Sequence, residues 1–287
     1  MARQVPERLE PGLYFVATPI GAARDITLRA LDILGAADVL AAEDTRTLRH
    51  LMDIHGIALG DRPLVAYHDH NGERVRPRLL RDLAEGRSVA YASEAGTPLV
   101  ADPGYQLARA AIEAGHPVRT APGPSAALAA LTVSGLPSDR FMFAGFPPAT
   151  ASARRSWLAD LARVDATLIL YESPKRVRDL LGELAQSFGD GRKAAVCREL
   201  TKRFEETRRG TLGELARDFA EREVKGEIVV LVDRAGKIEA DEATVEEAMR
   251  RALKTMTVKD AAQAVADAYG LHRRTAYQMA LKLEDRE

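Results

Sequence analysis

A single cysteine, Cys197, in 287 residues excludes an internal disulfide framework and fits a reducing compartment. Charge of one sign is also missing. Forty-one Lys and Arg meet forty-two Asp and Glu, a formal net charge of −1, which excludes a generally basic nucleic-acid coat protein but leaves room for local basic patches. No apolar run approaches the roughly 18–20 residues of a membrane span, and the first residues carry no apolar signal core. Residues 1–11 read as a flexible leader, and the expectation is a soluble cytoplasmic protein. Gly and Pro are ordinary in number, so collagen-like and low-complexity readings fail. Two nucleotide-binding fingerprints are absent as well. There is no G-x-x-x-x-G-K-[ST] and no G-x-G-x-x-G, so the spacing of Glu43-Asp44 behind Thr18-Pro19-Ile20-Gly21 does not indicate a dinucleotide site.

What is present is aliphatic and periodic. Hydrophobic residues reach 46% although aromatics are only 5%, and the length suits about two domains. Short apolar runs at Leu13–Ala17, Val39–Ala42, Leu64–Tyr67, Val89–Ala92 and Val118–Ala121 alternate with helical patterns. One of these helices is expected to be capped by Asp25 and another by Asp102. This predicts a largely parallel sheet covered on both faces over residues 12–121. Pro122-Gly123-Pro124-Ser125 breaks the rhythm and is read as a hinge, with Pro124 opening the next helix. A second α/β unit over 122–236 is expected from runs at Phe141–Phe146, Leu168–Tyr171, Ala194–Cys197 and Ile228–Val232. Residues 237–287 read as a linker and helices, the last two with helix-turn-helix spacing; they either contact nucleic acid or only pack on the body.

Three Gly/Pro loops lie at ends of predicted strands: Thr18 to Gly21, Ser93 to Pro98, and Pro122 to Ser125. Each alone is a turn; together they point to a ligand site beyond the carboxyl ends of an α/β sheet. His68-x-His70 in a strand would put two imidazoles on one face, but no further ligand completes a metal set, so polar substrate contact is the better reading. Arginine clusters at Arg46, Arg74, Arg76, Arg176 and Arg198, with Lys202, suit phosphate contacts, or else a solvated, salt-bridged surface. If they serve RNA, they should converge around one cleft.

Ala17-Thr18-Pro19-Ile20-Gly21, Ala42 to Arg46, His68 to Asn71, Ser93 to Pro98, Pro122 to Ser125, Gly135 to Phe141, Tyr171-Glu172-Ser173, Arg198 to Lys202 and Lys225-Gly226-Glu227 occur in that order. As a series this resembles the bacterial small-subunit ribosomal RNA cytidine 2′-O-ribose methyltransferases of the tetrapyrrole methylase superfamily, over roughly residues 12–232. The resemblance implies two α/β domains with S-adenosylmethionine in the cleft between them, a homodimer, no metal, and a decoding-site cytidine as substrate. Carried over by position, the cofactor residues are Thr18, Pro19, Ile20, Gly21, Glu94, Ala95, Gly96, Thr97, Pro98, Leu99, Pro122, Gly123, Pro124, Ser125, Ala126, Lys225, Gly226 and Glu227. Two positions depart from the family pattern. Ala22-Ala23 stand where Asn-Leu is usual, and Glu94 stands where Asp is usual.

A ribose hydroxyl is a weak acid, so transfer to it gains from a base or an electrostatic stabiliser. Glu43, Arg46, His70 and Glu199 are the residues expected on the reacting side. Two rival functions remain from the residues: a small-molecule tetrapyrrole or corrinoid methyltransferase on the same fold, and a non-catalytic helix-turn-helix regulator.

Overall fold

The computed structural model describes residues 8–101, 103–235, 242–269, 271 and 273–284. Its elements are β1 (Gly12–Val16), α1 (Leu28–Ala36), β2 (Val39–Ala42), α2 (Thr45–Ile54), β3 (Leu64–Ala66), α3 (Gly72–Ala84), β4 (Ser88–Ala92), α4 (Tyr105–Glu113), β5 (Val118–Ala121), α5 (Ala126–Ser134), β6 (Phe141–Gly145), α6 (Ala151–Leu161), β7 (Thr167–Glu172), α7 (Val177–Phe188), β8 (Lys193–Arg198), β9 (Glu206–Thr211), α8 (Leu212–Ala220), β10 (Ile228–Val232), α9 (Glu242–Leu253), α10 (Val258–Tyr269) and α11 (Arg273–Glu284).

The first five strands form one wholly parallel sheet in the order β3-β2-β4-β1-β5. Every residue of β1, β2 and β4 is buried, because helices cover both faces. The period of two splits them: Leu13, Phe15, Val39, Ala41, Val89 and Tyr91 face one core, while Tyr14, Val16, Leu40, Ala42, Ala90 and Ala92 face the other. The strand order matters for function. At the carboxyl edge it sets the loops after β4, β1 and β5 side by side and puts the ends of β2 and β3 next to them.

The second sheet, β6-β7-β10-β8-β9, is mixed. β6 and β7 are parallel, while β10 runs antiparallel to both β7 and β8. Ile228 therefore pairs with both Glu172 and Arg198, so the start of β10 meets the ends of its two neighbours at one edge. One face is covered by α7 and α8, the other by α5. Ile20, from the loop after β1, inserts into the core beneath α5 and joins the two halves.

Several local expectations are corrected. Thr27, not Asp25, caps α1, its side chain accepting from Ala30 N. Ser125 is the N-cap of α5, so Pro124 precedes the helix instead of opening it. β9 was not expected, because Glu206–Thr211 has no apolar run; an edge strand paired only with β8 needs none. Asp102 and most of the polar stretch before α9 lie outside the described residues. The last residues of the leader are held: Arg119 bonds Glu10 Oε2 at 2.6 Å and Pro11 O at 3.1 Å, and Tyr14 Oη donates to Glu10 O.

Helices α9, α10 and α11 enclose their own core of Val245, Met249, Ala261, Ala262, Val265, Ala266, Ala276, Ala280 and Leu283. Their main packing is with one another. Among the described residues, no helix is long and apolar enough to cross a membrane.

Candidate active site

A cavity of about 370 Å³ lies between the two sheets. One wall is Ile20, Ala95, Gly96, Thr97, Val100 and Ala101; the start of α5 contributes its N-cap Ser125 and Ala126; the opposite wall is Phe146, Tyr171 to Pro174, Cys197, Leu200 and Gly226 to Val229. Its size and mainly apolar lining with a few polar groups are those of a small-molecule site.

The first wall is pinned by backbone bonds. Thr18 and Gly96 exchange both of their N–H···O bonds, at 2.9 and 3.0 Å, and Ser93 Oγ donates to Gly96 O at 2.8 Å. Thr97 Oγ1 donates to Pro124 O at 2.8 Å, joining the second loop to the third. Gly123 lies so close to strand β1's continuation that a Cβ there would stand 2.9 Å from Ala17 Cβ. Ser125 makes no side-chain cap bond; the first-turn amide of Ala127 donates instead to Tyr171 Oη at 3.0 Å, which ties the start of α5 to the opposite wall.

The second wall is a carboxylate–ammonium lattice. Glu199 N donates to Glu227 O, and Glu227 N donates back to Glu199 Oε1, both at 3.0 Å. Lys202 Nζ donates to Glu199 Oε1 at 2.9 Å and to Glu227 Oε2 at 2.8 Å. The Glu227 amide, then the Lys202 ammonium, hold the Glu199 carboxyl below its ordinary value. Gly21 touches this lattice, since a Cβ there would lie 2.6 Å from both Lys202 Cγ and Thr201 Oγ1, and Ala22 N donates to Thr201 Oγ1 at 3.1 Å. Where the family motif carries an amide side chain, Ala22 thus contributes its backbone. Glu172 is buried, accepts from Ser173 N and twice from Arg176, and Arg176 also donates to Pro147 O, which ties the Phe146–Pro147 corner to the wall.

All four non-glycine residues with positive φ among the described residues fall in two loops: Leu99 and Ala101 on one side, Glu199 and Thr201 on the other. Such backbone costs about 1–3 kcal/mol per residue and concentrates at functional loops.

Sequence reasoning placed Ile20, Ala95, Gly96, Thr97, Ser125, Ala126, Gly226 and Glu227 on residues that do line the cavity. Thr18, Gly21, Gly123 and Pro124 support the walls from behind. Pro19, Glu94, Pro98, Leu99, Pro122 and Lys225 are not among the lining residues. Phe146, Cys197, Leu200 and Val229 were missed as lining residues; for Cys197 and Val229 the signal is the alternation within β8 and β10, whose antiparallel pairing the sequence does not reveal, while Phe146 and Leu200 lie just past the ends of β6 and β8. Cys197 is buried and its thiol is pushed up by burial, so it serves as wall.

None of Glu43, Arg46, His70 and Glu199 lines the cavity itself. Glu43 lies at the end of β2, next to the β4 loop, and accepts a hydrogen bond from the Glu94 amide. Its Oε2 is buried with no hydrogen-bond partner. Burial raises the Glu43 carboxyl above its ordinary value; the Glu94 amide opposes this, and the charges of Glu94 and Asp69 add to it. Asp44 caps α2 and binds Arg46 Nη2 at 2.7 Å, which holds Asp44 at about 2.

Two further expectations are corrected. His68 and His70 lie beyond the end of β3, not within a strand, with rings edge-on at 6.0 Å; Asn71 ties this turn by accepting from His68 N and donating to Ala66 O. Among the described residues, no three metal-ligating side chains come together. The cationic set does not converge either. Arg198 belongs to a separate depression with Glu206, Phe219 and Arg222, Arg176 is bound to Glu172, and Arg74 is exposed on α3. Arginines paired within each wall cannot also meet across it.

A parallel sheet and a mixed sheet closing on such a cleft define the tetrapyrrole methylase class, and the chain belongs to that family: residues 12–216 match the model of Tetrapyrrole (Corrin/Porphyrin) Methylases. Residues 239–284 match the model described as the RsmI C-terminal HTH domain. The chain is 49% identical to Ribosomal RNA small subunit methyltransferase I of Mesorhizobium japonicum, over 98% of this chain and 96% of that protein. It is 45% identical to the protein of the same name from Xylella fastidiosa, over 93% of this chain and 98% of that one. Among solved structures, uroporphyrin-III C-methyl transferase from Thermus thermophilus, complexed with S-adenyl homocysteine, shares the fold with a TM-score of 0.53 at 23% identity, covering 78% of this chain and 98% of that one.

Proposed function

We propose that the chain methylates small-subunit ribosomal RNA, taking the methyl group from S-adenosylmethionine and placing it on the ribose 2′-hydroxyl of a decoding-site cytidine. The observation that carries this reading is the mainly apolar cavity with, behind its first wall, a carboxylate, Glu43, whose Oε2 is buried and unbonded. Family membership and relatives named for ribosomal RNA methylation supply the substrate class.

The residues fit the cofactor. The cavity offers apolar walls at Ile20, Val100 and Val229, the start of α5 at Ser125 and Ala126, and the Gly96 and Gly226 backbones for close approach. Bound S-adenosylmethionine supplies an electrophilic methyl on a sulfonium, so the transfer calls on no metal. The protein's task is alignment, which contributes about 7–11 kcal/mol when reacting atoms are well placed. Glu43, with its raised pKa, receives the ribose proton. Arg46, in the first turn of α2, and His70, beyond the end of β3, are exposed and hold the nucleotide. Glu199 acts from the opposite wall, fixing the Gly226–Glu227 turn.

A second copy of the chain fits the free side of β6, where Phe141, Met142 and Phe146 are 44%, 41% and 57% exposed and Leu128 of α5 is 51% exposed. We propose a homodimer through this edge, acting in the cytoplasm where ribosomal subunits are found; light scattering on wild type and on M142E tests it, with dimer and monomer as the expected masses.

The deciding experiment is labelled methyl transfer into undermethylated small ribosomal subunits, with free ribosomal RNA and a corrinoid precursor in parallel. Label in the subunit RNA, at a ribose, is the expected outcome. Label in the precursor alone would overturn the reading.

A further inference from the structure

Helix α3 carries Arg74, Arg78 and Arg81 on one exposed ridge, at the three- and four-residue spacing that aligns side chains along a helix. Two acids are spaced to neutralise them, Asp82 four residues after Arg78 and Glu85 four after Arg81. Both are taken by Arg87, which binds Asp82 Oδ1 at 2.9 Å and Glu85 Oε2 at 3.2 Å. Among the described residues the three ridge arginines have no carboxylate partner. Several other arginines are held by carboxylates, Arg154 by Glu183, Arg176 by Glu172, and Arg198, Arg208 and Arg222 by Glu206. The opposite side of α3 is buried through Leu79 and Leu83, so the ridge faces outward.

The ridge also has a fixed origin. α3 starts at the His68–Asn71 turn, which is held to the end of β3 and whose His68 and Asp69 act electrostatically on Glu43. At 1.5 Å per residue, Arg74 to Arg81 spans about 10 Å, leading away from the proposed reacting carboxylate. Guanidinium groups in such a row suit consecutive phosphodiesters.

We infer that the Arg74–Arg78–Arg81 ridge is the docking track for the RNA strand flanking the methylated nucleotide. This rests on the RNA reading above. The ridge fixes the strand electrostatically, without reading bases, and so governs affinity and not the chemical step.

The test uses the full chain with all three arginines changed, R74Q/R78Q/R81Q. Methyl transfer into undermethylated small subunits is followed against subunit and salt concentration, alongside S-adenosylhomocysteine affinity and melting temperature. KM for subunits is expected to rise on the order of 10–100-fold at about 0.15 M salt, with kcat within about twofold. The slope of log affinity against log salt should fall by about 2, three phosphates at roughly 0.7 each. Cofactor affinity and melting should be unchanged. R109Q/R140Q/R251Q, which removes the same charge from arginines paired to Glu113, Asp165 and Glu247, should leave KM within about twofold. An unchanged KM in the ridge variant overturns the proposal, as does an equal rise in the control. If the triple variant fails to melt cooperatively, R78Q alone should lower the salt slope by about 0.7, and an unaltered slope overturns the proposal. Wild type that labels no subunit defeats the underlying reading, a result separate from either.

Discussion

The two walls of the cavity hold their carboxylates on opposite terms. On the second wall Glu172, Glu199 and Glu227 each accept from a cation, as does Glu206 in the depression beside it, and the Glu206 and Glu199 carboxyls are held below their ordinary values. Behind the first wall, at the end of β2, Glu43 is half-buried, has an unbonded Oε2, neighbours two other acids and is raised. A lattice of satisfied ions fixes geometry but has no proton affinity to spare. A desolvated lone carboxylate is poorly placed for stability and well placed for chemistry. The division suits one wall to shaping the cavity and, under the proposed function, leaves proton transfer to the carboxylate beside the other.

The most direct way to break this contrast is Glu43→Gln. The expected loss is about 10²–10⁴ in kcat, with S-adenosylhomocysteine affinity by calorimetry unchanged. Wild-type kcat should rise with pH through a value above that of an ordinary glutamate, and the variant should lose that limb. The sign for stability is the reverse. A carboxyl raised by folding contributes stability below about pH 4.5, its unfolded value, and loses it as pH rises through the folded value. Glu43→Gln should therefore melt no lower than wild type near neutral pH.

Gly226→Ala attacks the other wall. Gly226 has φ +91°, and a Cβ there would lie only 2.4 Å from the Glu199 carboxylate. The turn must shift, at an expected cost of about 2–3 kcal/mol in cofactor binding and a lowered melting temperature. Unchanged affinity would mean the lattice does not shape the cavity.

Glu206→Gln separates fold from site. Burial pushes the Glu206 carboxyl up, but hydrogen bonds from Arg208 and Arg222, the Arg222 charge and Arg198 outweigh it and hold the group at about 2. Its stabilisation is present above about pH 4.5 and is lost as pH falls towards about 2. The variant should be less stable by on the order of 2 kcal/mol in neutral urea melts, and it should show less of the acid loss. Cofactor affinity should not change.

The smallest expected effect comes from removing residues 242–287. Because α9, α10 and α11 pack mainly on one another, the body's melting should scarcely move. On α9, Arg250 and Arg251 are spent on Glu246 and Glu247, whereas exposed Arg273, Arg274 and Tyr277 on α11 suit RNA. A rise of roughly tenfold in KM for subunits is expected, below that of the α3 ridge.

The sequence was most legible where the chain is most regular. Leu13–Ala17, Val39–Ala42 and Val89–Ala92 read as buried strands because a parallel sheet hidden on both faces requires unbroken apolar runs. β9 was invisible because an edge strand asks nothing apolar of Glu206–Thr211. The loops Thr18–Gly21, Glu94–Leu99 and Pro122–Ala126 were legible through their Gly and Pro, which local backbone geometry demands. Glu172 and Cys197 were not read as cavity wall, because their place there depends on β10 running antiparallel between β7 and β8.

By itself, then, the sequence determined the elements, the loops able to approach a ligand, and the family motif series, since these are local properties of a few neighbouring residues. Tertiary structure decided which arginines keep a free charge, which carboxylate keeps a raised pKa, and that Gly21 and Lys202, 181 positions apart in the chain, meet at one wall. Those outcomes turn on distances of a few ångströms between residues remote in sequence. Electrostatic energy falls off with distance and with exposure to water, and composition records neither.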